Sequence, residues 1–441
     1  MLATPCLLVQ LLLGQSGTVI GDIVVVTDPT GAGHASSNVA AGVGSTLCAY
    51  GARGLYSVRP DAYDGVVVFT TSSMTGGFLG GNSATPKGTI VRATSTGAGY
   101  GSPLIPLPAS EYGSAAKLAQ CVFMGPVQIA PLNPDEDFRQ PSFGGGMTPT
   151  GLTGIEVLGH EYGHHWLVFS AFNQGNGLDV LHRADTRDTG DGSNTTPSVS
   201  ATLHYSHLAD SHSVMFGNFI TPLGGGQYRL EGGERKFGPM DQYFMGLRSA
   251  EETPPLRVLD DGSGMGQVGT PLRRGEAQVV TAQDEVQVSV ADFVRAQGPR
   301  QPAFPNAPRC FRVAFVLVLA PGATSPTSEQ FAVVEAYRKR WEAWFTTATD
   351  GRAATVTELD ANAACPEPPL SGPQDAGVDA GEVAQDAGAP ESPAGNAGGT
   401  ADAGEDLPGT SKVKSGCGCT ATTPAPWFLL AFGWALRRRR G

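Results

Sequence analysis

Residues 154–169, GIEVLGHEYGHHWLVF, limit the fold of this chain more than any other segment. They set three histidines and two glutamates into one apolar run, so whatever encloses them must accept polar side chains in a hydrophobic setting. Thr153 and Glu156 bracket its start with the spacing of a capping box. The threonine hydroxyl serves the free amide three residues on, and the glutamate reaches back. The spacing predicts a helix from there to about Phe169, stopped by the NQGNG that begins at Asn173. Gly163 in mid-helix costs about 1 kcal/mol against alanine, which is understandable if another group must approach closely there.

The rest of the chain is large enough to build a core around such a helix. It has 441 residues, 40% of them hydrophobic and 16% charged, enough for one large or two modest domains. With 41 acidic against 29 basic side chains the net charge is −12. No basic stretch precedes the extreme C-terminus, so nucleic acid is excluded as a partner class.

Short β-branched runs bounded by Gly, Ser, Pro and Asp predict strands at 22–28 (DIVVVTD), 65–71 (GVVVFTT) and 88–94 (GTIVRAT), with a fourth at 127–133 (VQIAPLN). Later segments are helical in period. Residues 238–247, GPMDQYFMGL, carry Pro239 where a first turn tolerates it and Gly246 where a helix ends. Residues 328–349 place Phe331, Val334, Tyr337, Trp341 and Trp344 at helical spacing, a packed face rather than a ligand box. The expected fold class is α+β: a sheet-rich N-terminal lobe over 21–150, then the histidine helix and a mainly helical lobe over 151–365.

Both ends differ from this body. Residues 1–20 contain an apolar run followed by small and polar residues, the shape of an export signal without its usual leading Lys or Arg. From 366 to 415 the composition shifts to Pro, Gly, Ala, Asp and Glu, with DAG repeats, which cannot bury enough apolar surface to order itself. An extended acidic stalk is expected. In the tail, 416–441, an apolar run from Trp427 to Leu436 meets four arginines, the charge pattern of a segment whose Arg end stays in the cytoplasm. The run is about ten residues, half the roughly twenty of a permanent span. Cys6 lies in the leader and Cys417 and Cys419 in the tail. Cys48, Cys121, Cys310 and Cys365 remain in the body, where an exported protein would form two disulfides of open connectivity.

His160 and His164 lie four positions apart, so on a helix they stand about 40° apart, one turn above the other. Two imidazole nitrogens can then meet one Zn²⁺ at roughly 2 Å each. Glu161, about 100° round from His160, can lie beside the metal without binding it and take a proton from an attacking water. Chance would give the bare H-E-x-x-H pattern here about once in a hundred such chains. The segment resembles the active-site helix of zincin metallopeptidases, with Val157, Leu158 and Trp166 matching the family's apolar flanks and His165 departing from them. The resemblance implies a zincin-like fold and a zinc-dependent peptidase with Glu161 as catalytic base and His160 and His164 as metal ligands.

The family's usual third ligands do not match. The metzincin pattern would need Gly and His where Leu167 and Ser170 stand, and Glu231 and Glu234 lie in a glycine-flanked stretch without helical pattern. Asp241 is the favoured third ligand. Its surroundings resemble a segment that follows H-E-x-x-H in myxobacterial surface proteins, although an aspartate in a first helical turn is also favourable for the helix dipole alone. His204 competes with it. Tyr205, His207 and Tyr243 are open choices for an oxyanion partner, and Met215 and Met245 for a metal-site floor or plain core. The carboxylate cluster in 185–194 fails calcium-loop spacing, and PTGAGHASS (29–37) lacks the Lys and helix of a phosphate loop.

Residues 415–441 closely resemble the C-terminal sorting tails of myxobacterial surface proteins, in which Gly and Cys precede a short hydrophobic helix and an Arg cluster. This implies membrane contact through the tail, cleavage by a sorting protease near Cys417 or Cys419, and a body displayed at the cell surface. The expected function is a surface-tethered zinc metallopeptidase acting on extracellular proteins or peptides. The rivals are a non-catalytic adhesion protein on the same scaffold and a metal-free structural surface protein.

Overall fold

Alternating β-branched residues at 23–26, 65–70 and 313–318 bury side chains on both faces, and they form the middle of a sheet covered by helices on each side. The computed structural model describes residues 17–34, 43–73, 81–83, 109–141, 147–167, 170–175, 179–180, 205–260, 272–366 and 368. Its first half contains β1 (Gly17–Ile20), β2 (Ile23–Val26), α1 (Val43–Tyr56), β3 (Gly65–Thr70), β4 (Gly81–Ser83), β5 (Gln120–Pro126), β6 (Asp137–Pro141), β7 (Met147–Thr153) and α2 (Gly154–Leu167). Then follow β8 (Ala171–Phe172), β9 (Asp179–Val180), β10 (Phe219–Gly224), β11 (Gln227–Glu231), α3 (Pro239–Met245) and β12 (Leu256–Asp260). Last come β13 (Ala277–Thr281), β14 (Asp284–Val288), α4 (Val290–Gln297), β15 (Cys310–Val318), α5 (Ser328–Ala348) and β16 (Ala354–Val356).

The main sheet runs β1-β2-β15-β3-β5-β4, with β16 beside the start of β15. β2, β15, β3 and β5 are mutually parallel, whereas β4 is antiparallel to β5 and forms the end of the order. Val24, Val26, Val66, Val68, Ala314, Val316 and Val318 face one core with Leu47 and Leu55 of α1. Val25, Val67, Phe69, Phe315 and Leu317 face the other, against Tyr162 and Trp166 of α2 and Trp341 and Phe345 of α5. The mixed α+β class expected from sequence is present.

Several expectations change in detail. The central strand β15 comes from residues 310–318 and sits between β2 and β3, so the sheet is not confined to 21–150. The later part is not mainly helical either, since it also supplies β8 to β16. The strand expected at 127–133 forms earlier, as β5 at 120–126, and the chain turns from 127 onward. α1 occupies a Gly- and Ala-bearing stretch that has no clear helical signal in sequence. Its Gly51 and Gly54 lie against Val68 and Val26, so glycine there lets the helix settle onto the sheet. Residues 17–20, placed by sequence in the leader, are paired with β2.

Cys48 and Cys121 form a disulfide between α1 and β5, and Cys310 and Cys365 tie the start of β15 to the chain after β16. The expected strand at 88–94, the carboxylate cluster at 185–194, His204, residues 1–16, nearly all of the stalk and the tail lie outside the described residues. Among the described residues no helix is long and apolar enough to cross a membrane.

Candidate metal centre

α2 begins as its sequence requires. The Thr153 amide donates to Glu156 Oε2 at 2.8 Å, and the Glu156 amide donates to Thr153 Oγ1 at 3.3 Å, closing the box. The second Glu156 oxygen, Oε1, accepts from the Arg235 amide at 2.8 Å and from the Arg274 guanidinium at 3.0 Å. Glu156 therefore joins the helix start to two later segments. Along the helix, a Cβ at Gly154 would strike the Tyr337 hydroxyl and one at Gly159 the Trp344 ring, so these glycines let α5 approach closely. Gly163 is approached by Phe237 and Val214, 3.2 and 3.5 Å from where its Cβ would stand. That is the close approach its mid-helix position implies.

The helix brings His160, Glu161 and His164 together, with one ligand atom of each within 4.8 Å of the others. His160 Nε2 and His164 Nε2 are 3.2 Å apart, and Glu161 Oε2 is 4.0 Å from His164 Nε2. The imidazoles stand nearly perpendicular, at 81°. His160 is 4% and His164 6% exposed. The Glu161 side chain is 12% exposed, the most open of the three.

His160 Nδ1 lies 2.7 Å from the Val214 carbonyl oxygen, and since a carbonyl can only accept, Nδ1 carries the proton and donates it. Burial lowers the His160 pKa to about 4, against a smaller opposite pull from that hydrogen bond, so the ring is neutral. Its Nε2 then presents a lone pair toward His164. These nitrogens fit a metal: an ion bound at about 2.0–2.1 Å from each in tetrahedral geometry would hold them about 3.3 Å apart. A carbonyl on the far ring nitrogen is a common way of orienting a ligating histidine.

His165 takes no part in the group. It is 4% exposed, packs edge-on against Trp166 at 4.6 Å, and burial, with the Arg300 charge adding to it, lowers its pKa to about 3. A neutral histidine there is compatible with the surrounding core.

Asp241 is not brought into the group. Its Oδ2 accepts from the Gly238 amide at 3.0 Å, capping α3, and its Oδ1 accepts from the Tyr205 hydroxyl at 2.9 Å. Ser213 also hydrogen-bonds to it, yet burial dominates and pushes its carboxyl up to about 7. The carboxylate thus joins α3 to the segment containing Tyr205 and Ser213. Tyr205 is fully buried with its hydroxyl committed to Asp241, Tyr243 is 5% exposed with its hydroxyl facing the Arg300 amide, and His207 is half-buried. Met215 is fully buried in the turn that carries Val214, and Met245 lies in the core at the end of α3.

Two contributors to the site have no signature in sequence. The Val214 carbonyl is a backbone group, and Phe216, whose ring stacks on His160 at 4.6 Å and 23°, lies more than fifty residues beyond it. No protein-family model matches the chain, and neither does any curated protein or solved structure.

Proposed function

We propose that this protein is a zinc-dependent peptidase of zincin type, exported and tethered at the cell surface, that hydrolyses peptide bonds of extracellular proteins or peptides. The observation that carries the proposal is the pair of Nε2 atoms 3.2 Å apart with the Glu161 carboxylate beside them. A zinc ion bound there would supply a Lewis acid and make an attacking water more acidic. Glu161, the most open of the three side chains, takes the proton from that water and returns it to the leaving amine. His160 and His164 would hold the ion. Val214 keeps His160 in the tautomer that can do so.

The arrangement of the sheet supports a peptide substrate. Among the described residues β4 ends the sheet order and α2 packs against it, so an extended peptide adding beside β4 would run along the histidine helix. The two disulfides support the reading of an exported chain, because such bonds persist in oxidising compartments. The surface tether rests on the sequence of the stalk and tail.

The test uses purified protein with zinc measured by elemental analysis and cleavage of a denatured protein substrate followed by electrophoresis. Wild type should carry about one zinc per chain and cleave, and E161Q should keep the zinc and lose at least about a hundredfold in rate. Turnover unchanged in E161Q refutes Glu161 as the base. Stoichiometric zinc with no turnover on any protein favours a non-catalytic adhesion protein. A wild type without zinc refutes the metal centre.

A further inference from the structure

Phe216 combines two features that hydrolysis does not itself require. Its backbone φ is 85°, in the left-handed region where a bulky residue is strained. Its ring is stacked against the His160 imidazole, with centroids 4.6 Å apart and planes 23° from parallel. Such strain persists only where the surroundings over-determine it, and it is concentrated at functional sites.

The surroundings do so here. The Phe216 amide donates to Ser213 O at 3.2 Å, and the Met215 amide donates to Ser213 Oγ at 3.0 Å, closing a tight turn. That turn is fastened at each side: Val214 N donates to Lys236 O at 3.0 Å, Tyr205 N to Met215 O at 2.7 Å, and Asn218 N to Ala209 O at 3.1 Å. A Cβ on Gly217 would strike the Ser211 side chain, so the turn has no slack on that side. One turn therefore delivers both the carbonyl that meets His160 Nδ1 and the ring that covers the face of the same imidazole. A hydrogen bond at Nδ1 pins one atom but lets the ring tilt about it. An aromatic face against the imidazole removes that freedom, and a metal site needs its ligands held within about 0.5 Å and 10–20°.

We propose that Phe216 is a positioning residue of the metal centre, its left-handed backbone holding an aromatic ring on His160 so that, with the Val214 carbonyl, it fixes the imidazole plane that presents Nε2 to the ion. The inference rests on zinc binding by His160 and His164.

The experiment compares wild type, F216G and F216Y by zinc affinity, measured in competition with a chromogenic chelator, and by the thermal midpoint of each metal-stripped protein. Glycine accepts the backbone conformation without strain but brings no ring. F216G should therefore bind zinc about 10–100-fold more weakly, as changes behind a metal ligand do, while its metal-stripped midpoint falls only modestly, relief of the backbone strain offsetting part of the burial lost with the ring. F216Y, which keeps the ring, should bind zinc as wild type does. Wild-type zinc affinity in F216G overturns the proposal, and so does a metal-stripped midpoint that falls in step with affinity, the mark of a merely structural role. A wild type that binds no zinc overturns the metal centre and this inference together, an outcome distinct from either.

Discussion

Asp241 shows how one residue type at one position can serve two chemistries. As a free carboxylate it would suit zinc, but here its two oxygens are engaged by Gly238 and Tyr205, and burial holds its pKa at about 7. The unfolded chain would titrate it at about 3.9. A carboxyl whose folded value is raised contributes stability that is complete below the unfolded value and is lost as the pH rises through the folded one. The metal-stripped protein should therefore unfold at progressively lower urea concentration from about pH 4 to about pH 7 and level off above that. D241N should flatten that slope, whatever it does to the absolute midpoint. A slope that survives in D241N would mean another group carries it. The identities of His160, Glu161 and His164 were readable from spacing because i and i+4 share a helix face. The commitment of Asp241 to a cap and a tyrosine was not, because its partner Tyr205 is 36 residues away.

At the scale of elements, α2 is held by what glycine omits. Gly159 faces the Trp344 ring of α5 with no space for a methyl group, and the aromatic stripe of α5 is buried at Tyr337, Trp341 and Trp344. G159A should lower stability by about 1–3 kcal/mol through overpacking, despite alanine's better helix propensity, and chemical denaturation would measure it. A stabilised G159A would show that α5 is not packed as described. The start of α2 was legible, because a cap is local: Thr153 with Glu156. α5 starts on the same kind of cap, Thr327 with Gln330, which the structure added. α1 was not legible, because its glycines read as loop until the close strands behind them explain their presence.

Across the whole molecule, the sheet joins distant parts of the chain. β15 is inserted between β2 and β3, and the two disulfides close loops with sequence separations of 73 and 55 residues. Loops of that size stabilise by about 4 kcal/mol each in the chain-entropy account. Replacing Cys48 and Cys121 by alanine should therefore lower the thermal midpoint by well over about 5 °C, and the same should hold for Cys310 with Cys365. A midpoint unmoved in either pair would show that its bond is not formed in the folded protein. By itself the sequence determined the helix with its two imidazoles and carboxylate, its cap, the strands within 22–28 and 65–71, the aromatic stripe and the four body cysteines. Each of these follows from residues within a few positions of one another or from composition. Only the tertiary structure decided which cysteines pair, which strand lies at the centre, that the Val214 carbonyl and the Phe216 ring meet His160, and that Asp241 caps α3. The physical reason is the same throughout: spacing along a chain records local periodicity, whereas partners distant in sequence are selected by the burial and hydrogen bonding of the folded whole.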